Sequence, residues 1–474
     1  MLFTEPASLF VFLPLVLAMS RFASRAVGNY LLLALSLLFY AVGEPQHVPL
    51  LVLSSLLNYL FGILLEDRQR PGLRKLACGL GVGCNLALLG FWKYSGFLAD
   101  NLNLLLGLAG DLQLQRPEIE LPLGISFFTF QGLSYLLDVY SGQVKAERNP
   151  AFLGLYISLF PQLIAGPIVR FSDVAADLRQ REATLDDWSE GIRQFILGCA
   201  RKLLIANPVA ETADAIFSLS DSQLSMPLAW VGLLAYAFQI YFDFSGYSAM
   251  ASGLGRMLGF RFPQNFNDPY TATSVRDFWR RWHISLSTWF RDYLYVPLGG
   301  NRVSPKRTTI NLMVVFLLCG LWHGASWNFV VWGGIHGTFL TLERHPRLQW
   351  LPRTPGVNRI YTLIVVLTGW VFFRCETLSQ SMAFLHALVA GDSAGLPISL
   401  FVSRTGMLAF VVAAVWSTPA FTLIGRRLNH LSENRPGRQL LFDSSMLTVL
   451  CGILLLSVSQ AAANTFNPFI YFRF

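Results

Sequence analysis

Apolar runs of helix length follow one another through most of this chain, with only short breaks between them. They lie near residues 6–20, 28–43, 48–65, 76–94, 121–140, 192–215, 228–254, 309–325, 328–343, 360–378, 405–424 and 441–461. Runs of this length match helices that cross a bilayer, whereas the strands of a membrane barrel alternate over about 10 residues. The pattern predicts an all-α polytopic membrane protein with about 11–13 transmembrane helices.

The composition agrees with a membrane protein. Only 14% of the 474 residues are charged and 53% are hydrophobic, whereas soluble proteins carry about 25% charged residues. The net charge of +8 is typical of arginine-rich cytoplasmic loops, so we expect the lipid bilayer as a partner and no nucleic acid. The six cysteines lack CxxC spacing, which indicates neither a metal site nor a disulfide framework. We interpret the N-terminal segment as a first span and not as a signal peptide, because it has no basic region before its apolar run.

We expect one membrane domain, with N-terminal helices in 1–119, a core rich in polar signals in 120–340, and C-terminal helices with an aromatic tail in 341–474. Two segments do not fit simple spans. Prolines and glycines break the apolar stretch 151–170, which predicts a re-entrant segment surrounded by protein. Arginines alternate with bulky aromatics in 256–308, which predicts amphipathic helices at the membrane interface.

His323 lies within an apolar run, Asn311 to Gly337, that should be buried in lipid. An ionisable side chain at this depth is costly unless it meets a partner or a water-filled cavity, so it is a candidate functional residue. Imidazole is the most frequent general acid–base in enzymes, and its neutral form could accept a proton from a hydroxyl nucleophile. The alternative is a core histidine hydrogen-bonded to a carbonyl group. Because Trp322, Trp327 and Asn328 flank it, we favour a functional role.

A second histidine, His283, lies in the polar insert. If the segment is helical, Trp279, Trp282 and His283 share one face, with Arg280 and Arg281 beside them. The alternative is an interfacial helix with an aromatic belt and phosphate-facing arginines, and the residues leave this choice open. A third histidine, His336, follows on the next span and is a weaker candidate.

Two further features carry polar chemistry into apolar surroundings. Asp243 lies inside a predicted span, and we expect it to pair with an arginine of the 276–291 segment. The C-terminal segment 464–474 ends in aromatic residues around Tyr471, so we predict that it inserts into a groove or pore mouth. A tyrosine hydroxyl can act as a transient nucleophile beside a base, but from the residues alone we favour plain anchoring at the aromatic belt.

Several catalytic motifs are absent from the sequence. It contains no P-loop, no GxGxxG, no HExxH and no GxSxG string, which argues against an ATP-driven pump, a dinucleotide enzyme, a zinc protease and a serine hydrolase. We expect no bound cofactor and no metal. An anion transporter or channel, and a non-catalytic scaffold of a polysaccharide export complex, stay open as alternatives to an enzyme.

Five strings together resemble the membrane-bound O-acyltransferase family, in the bacterial branch that acetylates alginate or cellulose outside the cell. They are LPLGISFFTFQGLSYLLDVY (121–140), FPQLIAGPIVRF (160–171), QIYFDFSGYSAMASGLGRMLGFRFPQNFNDPY (239–270), FWRRWHISLSTWFRDYLYVPLGGNR (278–302) and GLWHGASWNFVVWGGIHG (320–337). The sequence departs from alginate-type members at Ala249, where they commonly carry Asp. This departure puts the polymer in doubt more than the enzyme class.

The resemblance implies an acyltransferase in a bacterial cytoplasmic (inner) membrane, with helices around a central acyl-transfer channel. It implies that His323 is the catalytic base, that His283 supports the reaction from the cytoplasmic side, and that Tyr471 receives the acyl group in passing. Partners of such enzymes are periplasmic acetyltransferases and accessory proteins of a polysaccharide acetylation complex. Our hypothesis adds an acetyl-CoA or other acyl thioester donor held by the arginines, and a funnel lined by Trp279, Trp282, Trp322 and Trp327.

Overall fold

The computed structural model describes residues 3–108, 113–344, 354–391, 395–421, 423–425, 427, 436–463 and 469–470. The secondary structure within these ranges is helical and contains no strand. Six helical segments in them are long and apolar enough to cross a membrane. The predicted all-α polytopic class is therefore confirmed.

The helices are numbered in chain order. The N-terminal part contains α1 (Leu13–Phe22), α2 (Arg25–Gly43), α3 (Val48–Glu66), α4 (Pro71–Leu89), α5 (Ser95–Gly107), α6 (Ile125–Ser141), α7 (Pro150–Ser158), α8 (Phe160–Leu163), α9 (Phe171–Val174) and α10 (Asp177–Gln180). The central part contains α11 (Leu185–Ala200), α12 (Asn207–Phe217), α13 (Met226–Met257), α14 (Val275–Trp279), α15 (Ile284–Phe290), α16 (Pro305–His323) and α17 (Trp327–Leu342). The C-terminal part contains α18 (Pro355–Arg374), α19 (Leu378–Ala387), α20 (Arg404–Trp416) and α21 (Pro436–Ala463).

Each predicted apolar run overlaps a helix, but the helices differ in length. The six long apolar segments are 26–43, 45–66, 71–107, 226–257, 355–374 and 440–463. Two helices of the histidine region are shorter, with 17 residues in α6 and 16 in α17. A 16-residue helix is about 24 Å long, which is less than the roughly 30 Å of a hydrocarbon core. The predicted spans therefore outnumber the six helical segments, within the described residues, that are long and apolar enough to cross alone.

Glycines bring α11 and α13 into backbone contact. A Cβ atom added at Gly253 would lie 2.5 Å from the carbonyl oxygen of Gly191, and one at Gly198 would lie 2.7 Å from that of Gly246. Small residues at matching positions let membrane helices approach closely and gain van der Waals contact. This packing places α13 at the centre of the protein.

The helical hairpin of α16 and α17 is held together in the same way. A Cβ atom added at Gly320 would collide with the carbonyl oxygen of Phe329, and one at Gly333 would collide with that of Phe316. His323 is the last residue of α16, and Gly324 follows it in extended conformation. The close contact therefore fixes the end of the helix that carries His323.

The stretch 151–170 is broken and buried in protein, as predicted. Its helix α7 ends at Ser158, α8 covers four residues, and the chain from Ile164 to Val169 is non-helical and buried. The side chain of Ser285 accepts a hydrogen bond from the backbone N–H of Ile168 at 2.9 Å. This irregular segment is thereby tied to the insert that carries His283.

The insert departs from the predicted amphipathic helix. Helix α14 ends at Trp279, and His283 adopts a left-handed conformation with φ +42°. Trp279, Trp282 and His283 therefore do not share one helical face, and that prediction is wrong. The turn is fixed from outside the helix, because the backbone N–H of Ile284 donates to the carbonyl of Asn265 at 3.0 Å.

Candidate active site

His323 lies in a cage of aromatic rings at the C-terminal end of α16. Its side chain is buried. The ring centroids of Trp322, Trp332 and Phe373 lie 4.9, 5.0 and 5.0 Å from that of His323, all in edge-on arrangement. Edge-on packing against several rings restricts the rotation of the imidazole.

The carbonyl groups at the end of this helix are bound by two side chains from the segment between α4 and α5. The Nζ atom of Lys93 donates to the carbonyl oxygens of Trp322 at 2.6 Å and His323 at 3.0 Å. The hydroxyl of Tyr94 donates to the carbonyl oxygen of Leu321 at 2.7 Å. The last carbonyls of a helix have no partner within it, and the helix dipole favours a cation there. Lys93 and Tyr94 therefore anchor the end of α16 that carries His323.

A hydrogen-bond network holds the Nδ1 side of the His283 imidazole. Its Nδ1 atom lies 3.0 Å from Oδ1 of Asn265, which also accepts a hydrogen bond from the Ser285 hydroxyl at 2.9 Å. The Asn265 amide nitrogen donates to Ser248 of α13 at 3.0 Å. Since Oδ1 only accepts, Nδ1 of His283 carries the proton and Nε2 is the basic nitrogen.

Burial favours the neutral form of His283. The residue lies on the insert between α13 and α16 with no exposed surface. This burial lowers the pKa of its imidazole to about 3. A neutral imidazole with a fixed tautomer can accept a proton or a hydrogen bond at Nε2, but it does not act as a cation at neutral pH.

Trp322 contacts both histidines. Its ring centroid lies 6.2 Å from that of His283 and 4.9 Å from that of His323. Phe130 and Phe127 of α6 pack on Trp322 at 5.3 and 5.7 Å. The structure therefore brings the two predicted histidines to one aromatic cluster, although they lie on separate elements.

A cavity leads to His323 from the side of the loop before α6. Its volume is about 90 Å³, and Lys93, Ser126, Trp322 and His323 are among its lining residues. This space is large enough to hold several water molecules or a small acyl group. His323 is therefore buried but not sealed within the protein.

A second, larger cavity lies at the opposite end of the α16–α17 hairpin. Its volume is about 630 Å³. Its basic lining residues are Arg276, Arg280, Arg291 and Arg344, and Glu343 is the acidic one. Leu312 of α16 also lines it, eleven residues before His323, which corresponds to about 17 Å along the helix.

The remaining tryptophans predicted to line the channel differ in burial and in their contacts. Trp279 and Trp282 are buried, and Trp279 donates to Nδ1 of His336 at 3.2 Å. Trp282 packs on Trp370 with ring centroids 4.9 Å apart. Trp327 is 53% exposed and donates to Asn101. Among the tryptophans, Trp322 and Trp332 contact the ring of His323, while Trp279 and Trp282 form a neighbouring cluster.

Two polar residues of the predicted channel have structural partners. Arg281 pairs with Asp277 at 2.9 Å. Asn328 is buried and donates to the carbonyl of Cys375 at 2.6 Å, which joins α17 to the end of α18. Arg280, in contrast, forms no ion pair with any residue that the structure describes, and it faces the large cavity.

The partner predicted for Asp243 is wrong. Its carboxylate pairs with Lys202, between α11 and α12, at 2.7 Å. Lys202 reaches it because the glycine contacts bring the backbones of α11 and α13 together. Phe469 and Ile470, the two described residues of the predicted tail, are buried beside this pair, so the predicted insertion is confirmed for these two residues. Tyr471 lies outside the described residues.

Comparison with known proteins gives one consistent result. A model of the membrane-bound O-acyltransferase family (MBOAT) matches residues 143–375. The probable alginate O-acetylase AlgI of Azotobacter vinelandii is 39% identical over 100% of both chains. The peptidoglycan O-acetyltransferase of Helicobacter pylori is 33% identical over 100% of this chain and 98% of that one. The teichoic acid D-alanyltransferase of Bacillus subtilis is 28% identical over 53% of this chain and 66% of that one.

These matches extend over the helices, the insert and the histidine hairpin described above. The named relatives are acyltransferases, and the apolar helices make the chain a multi-pass membrane protein. The chain therefore belongs to the membrane-bound O-acyltransferase family, in the branch of the alginate O-acetylases, and is an acyltransferase.

Proposed function

We propose that this enzyme moves an acetyl group from a cytoplasmic thioester donor across the membrane for O-acetylation of an extracellular polysaccharide. One observation carries the proposal: two cavities lie at opposite ends of the α16–α17 hairpin, and His323 lines one of them. The distance of about 17 Å along α16 between the linings is short compared with a bilayer of roughly 30 Å. A group attached to a flexible carrier arm needs only to cross this thin part of the protein.

The larger cavity fits the donor, which we propose to be acetyl-CoA or another acyl thioester. Its lining contains four arginines and one glutamate. Guanidinium groups bind phosphate through paired, charge-assisted hydrogen bonds. Arg276 and Arg280 belong to the arginine-rich insert, and the general excess of arginine in cytoplasmic segments supports a cytoplasmic position for it.

His323 acts as the base in the proposed reaction. The acceptor hydroxyl attacks the thioester carbonyl, and its proton passes to the imidazole as the new C–O bond forms. The C–S bond then breaks, and the leaving thiolate takes that proton, so the products are an ester and a thiol. His283, with Nε2 as its basic nitrogen, supports the donor from the cytoplasmic side.

The first acceptor in this proposal is the hydroxyl of Tyr471. Support comes from its chain neighbours, since Phe469 and Ile470 are each only 2% exposed. Phe469 also contacts Phe244, which packs edge-on against His283 with ring centroids 4.6 Å apart. The acetyl group would then pass from the phenol ester to a periplasmic acetyltransferase or accessory protein.

Alginate is the polymer that the relatives favour, because AlgI proteins are 36–39% identical over the whole chain. Cellulose is the second candidate from the sequence strings, and peptidoglycan is the third through the Helicobacter relative. Transfer of an acetyl group from a cytoplasmic donor to a polymer outside the cell requires an enzyme that crosses the cytoplasmic (inner) membrane, and we propose that location.

Proteoliposomes loaded with labelled acetyl-CoA test the proposal against the transporter and scaffold alternatives. We expect labelled ester on the protein or on an added acceptor polysaccharide, with release of free thiol inside the vesicles. A transporter would move label without forming an ester, and a scaffold would do neither. Arg276→Gln with Arg280→Gln should raise the KM for the donor, and an unchanged KM would place the donor elsewhere.

A further inference from the structure

The Lys202–Asp243 pair is a buried feature that the proposed reaction does not use. The Nζ atom of Lys202 lies 2.7 Å from the Asp243 carboxylate, and their side chains are 6% and 2% exposed. A charge pair in a low-dielectric interior is costly unless further hydrogen bonds satisfy the carboxylate. The other oxygen of the Asp243 carboxylate should therefore accept a hydrogen bond.

That oxygen binds the C-terminal tail. The backbone N–H of Ile470 donates to Oδ2 of Asp243 at 2.8 Å. A hydrogen bond from a backbone amide to a carboxylate is charge-assisted and stronger than one between neutral groups. The contact joins residues that lie 227 positions apart in the chain.

Aromatic rings complete the site. The ring of Phe469 lies 5.0 Å from that of Tyr247 and 5.9 Å from that of Phe244, both on α13. Phe3, near the N-terminus, stacks on Tyr247, and their ring centroids lie 4.8 Å apart. Phe469 and Ile470 thus insert into the core, although α21 before them is almost wholly exposed to the surroundings.

The same rings connect the tail to His283. Phe244 contacts Phe469 on one side and packs edge-on against His283 at 4.6 Å on the other. His283 is held in a left-handed backbone conformation, which for a residue with a side chain costs free energy that the surroundings must supply. Phe469 of the tail contributes to these surroundings through its contact with Phe244.

We infer that Lys202, Asp243, Phe244 and Tyr247 form an internal binding site for an aromatic peptide segment, and that its occupant is the part of the C-terminal tail that contains Phe469 and Ile470. Asp243 accepts a hydrogen bond from the backbone of Ile470, Lys202 pairs with Asp243, and Phe244 contacts both Phe469 and His283. Asp243 and Lys202 are positioning residues in this inference. Its effect on acetyl transfer depends on the proposed function, whereas the binding of the tail does not.

Hydrogen–deuterium exchange of the full-length protein in nanodiscs, with mass-spectrometric detection, tests the binding of the tail. The Ile470 amide should exchange at least tenfold more slowly than in a free peptide of residues 464–474. Lys202→Met combined with Asp243→Leu removes the acceptor without leaving an unpaired cation, and exchange should rise tenfold or more. Asp243→Asn keeps an oxygen acceptor, so its protection should be intermediate.

Asp214→Asn is the matched control, because it removes the partner of Arg374 and leaves the tail contacts unchanged. It should exchange like the wild-type protein. Wild-type exchange at the rate of the free peptide, or unchanged protection in the double variant, would overturn the inference. Loss of protection in the double variant with wild-type kcat would overturn the link to His283.

The two proposals fail separately in these experiments. If the wild-type protein forms no acetyl ester, the proposed function is wrong, and the exchange result still decides whether the tail binds. Lys202→Arg provides a rescue, because it keeps a cation beside Asp243. It should retain protection and kcat better than the double variant, and equal losses in both would indicate only a general structural role.

Discussion

Helices α13 and α21 are both long and apolar, but they occupy opposite positions in the protein. The span Met226–Met257 has a mean hydropathy of 1.2 and is 78% buried, whereas Leu440–Ala463 has 2.0 and is 6% buried. The more apolar helix is therefore the outer one. In a bilayer, lipid solvates apolar side chains as well as protein does, so small and polar residues mark the inner helices.

The residues of α13 show why it is inside. Its glycines permit backbone contact with α11, and Asp243 finds a cation and a backbone donor within the protein. The contacts described for α21 are fewer, and residues such as Leu447 and Leu455 are more than 60% exposed. Hydropathy predicts both helices, whereas glycines and a buried polar residue distinguish the inner helix from the outer one.

Truncation of one leucine in each helix should give the largest contrast in stability. Leu233 of α13 is 1% exposed and Leu455 of α21 is 68% exposed. Leu233→Ala should lower the free energy of unfolding by about 3 kcal/mol because it leaves a cavity. Leu455→Ala should cost less than about 0.5 kcal/mol. Equal losses in reversible SDS unfolding would break the comparison.

Substitution of one glycine in each helix by alanine should change the stability of the protein in opposite directions. A Cβ atom at Gly253 would meet backbone of α11, whereas one at Gly452 would meet nothing within 4 Å. Gly253→Ala should destabilise the protein by about 2 kcal/mol through overpacking. Gly452→Ala should stabilise it by up to about 1 kcal/mol, because alanine favours the helix. Thermal unfolding in detergent measures both, and stabilisation at residue 253 would contradict the packing described here.

The segment 71–107 is intermediate in burial between α13 and α21, since it is 22% buried. Its Lys93 nevertheless contacts the end of the helix that carries His323. Lys93→Met removes the donor to two carbonyls at the end of α16. We expect about a tenfold lower kcat with little change in donor KM, which corresponds to about 1.4 kcal/mol. Lys75→Met, on the exposed start of α4, is the control. A change in KM alone would assign Lys93 to binding and not to positioning.

Much of the architecture could be predicted from the sequence because it depends on local patterns. Apolar runs of helix length predicted where the helices lie, and prolines and glycines predicted the break in 151–170. His323 was a candidate because an ionisable residue is unusual in such a run. The aromatic tail was predicted to insert, and burial confirms this for Phe469 and Ile470, its two described residues.

Other parts of the site depend on contacts between distant segments, which no local pattern contains. Lys93 and Tyr94 meet α16 across more than 200 positions, and the available signal was a lone cation in an apolar run. No sequence pattern links Asn265 to His283, although their side chains are hydrogen-bonded. The helix predicted for Trp279 to His283 was wrong because pairing with Asn265 imposes a turn. The partner of Asp243 was wrong because glycine packing brings Lys202 closer than any arginine of the insert.

The central claim is that His323 is the base for acetyl transfer, and the rate of ester formation in proteoliposomes tests it directly. His336→Gln is the matched control, since His336 is also buried in the hairpin and glutamine can still accept from Trp279. His323→Gln should lower kcat by about 10²–10⁴, while His336→Gln should change it less than about tenfold. A folded His323→Gln protein that forms ester at the wild-type rate would contradict the mechanism.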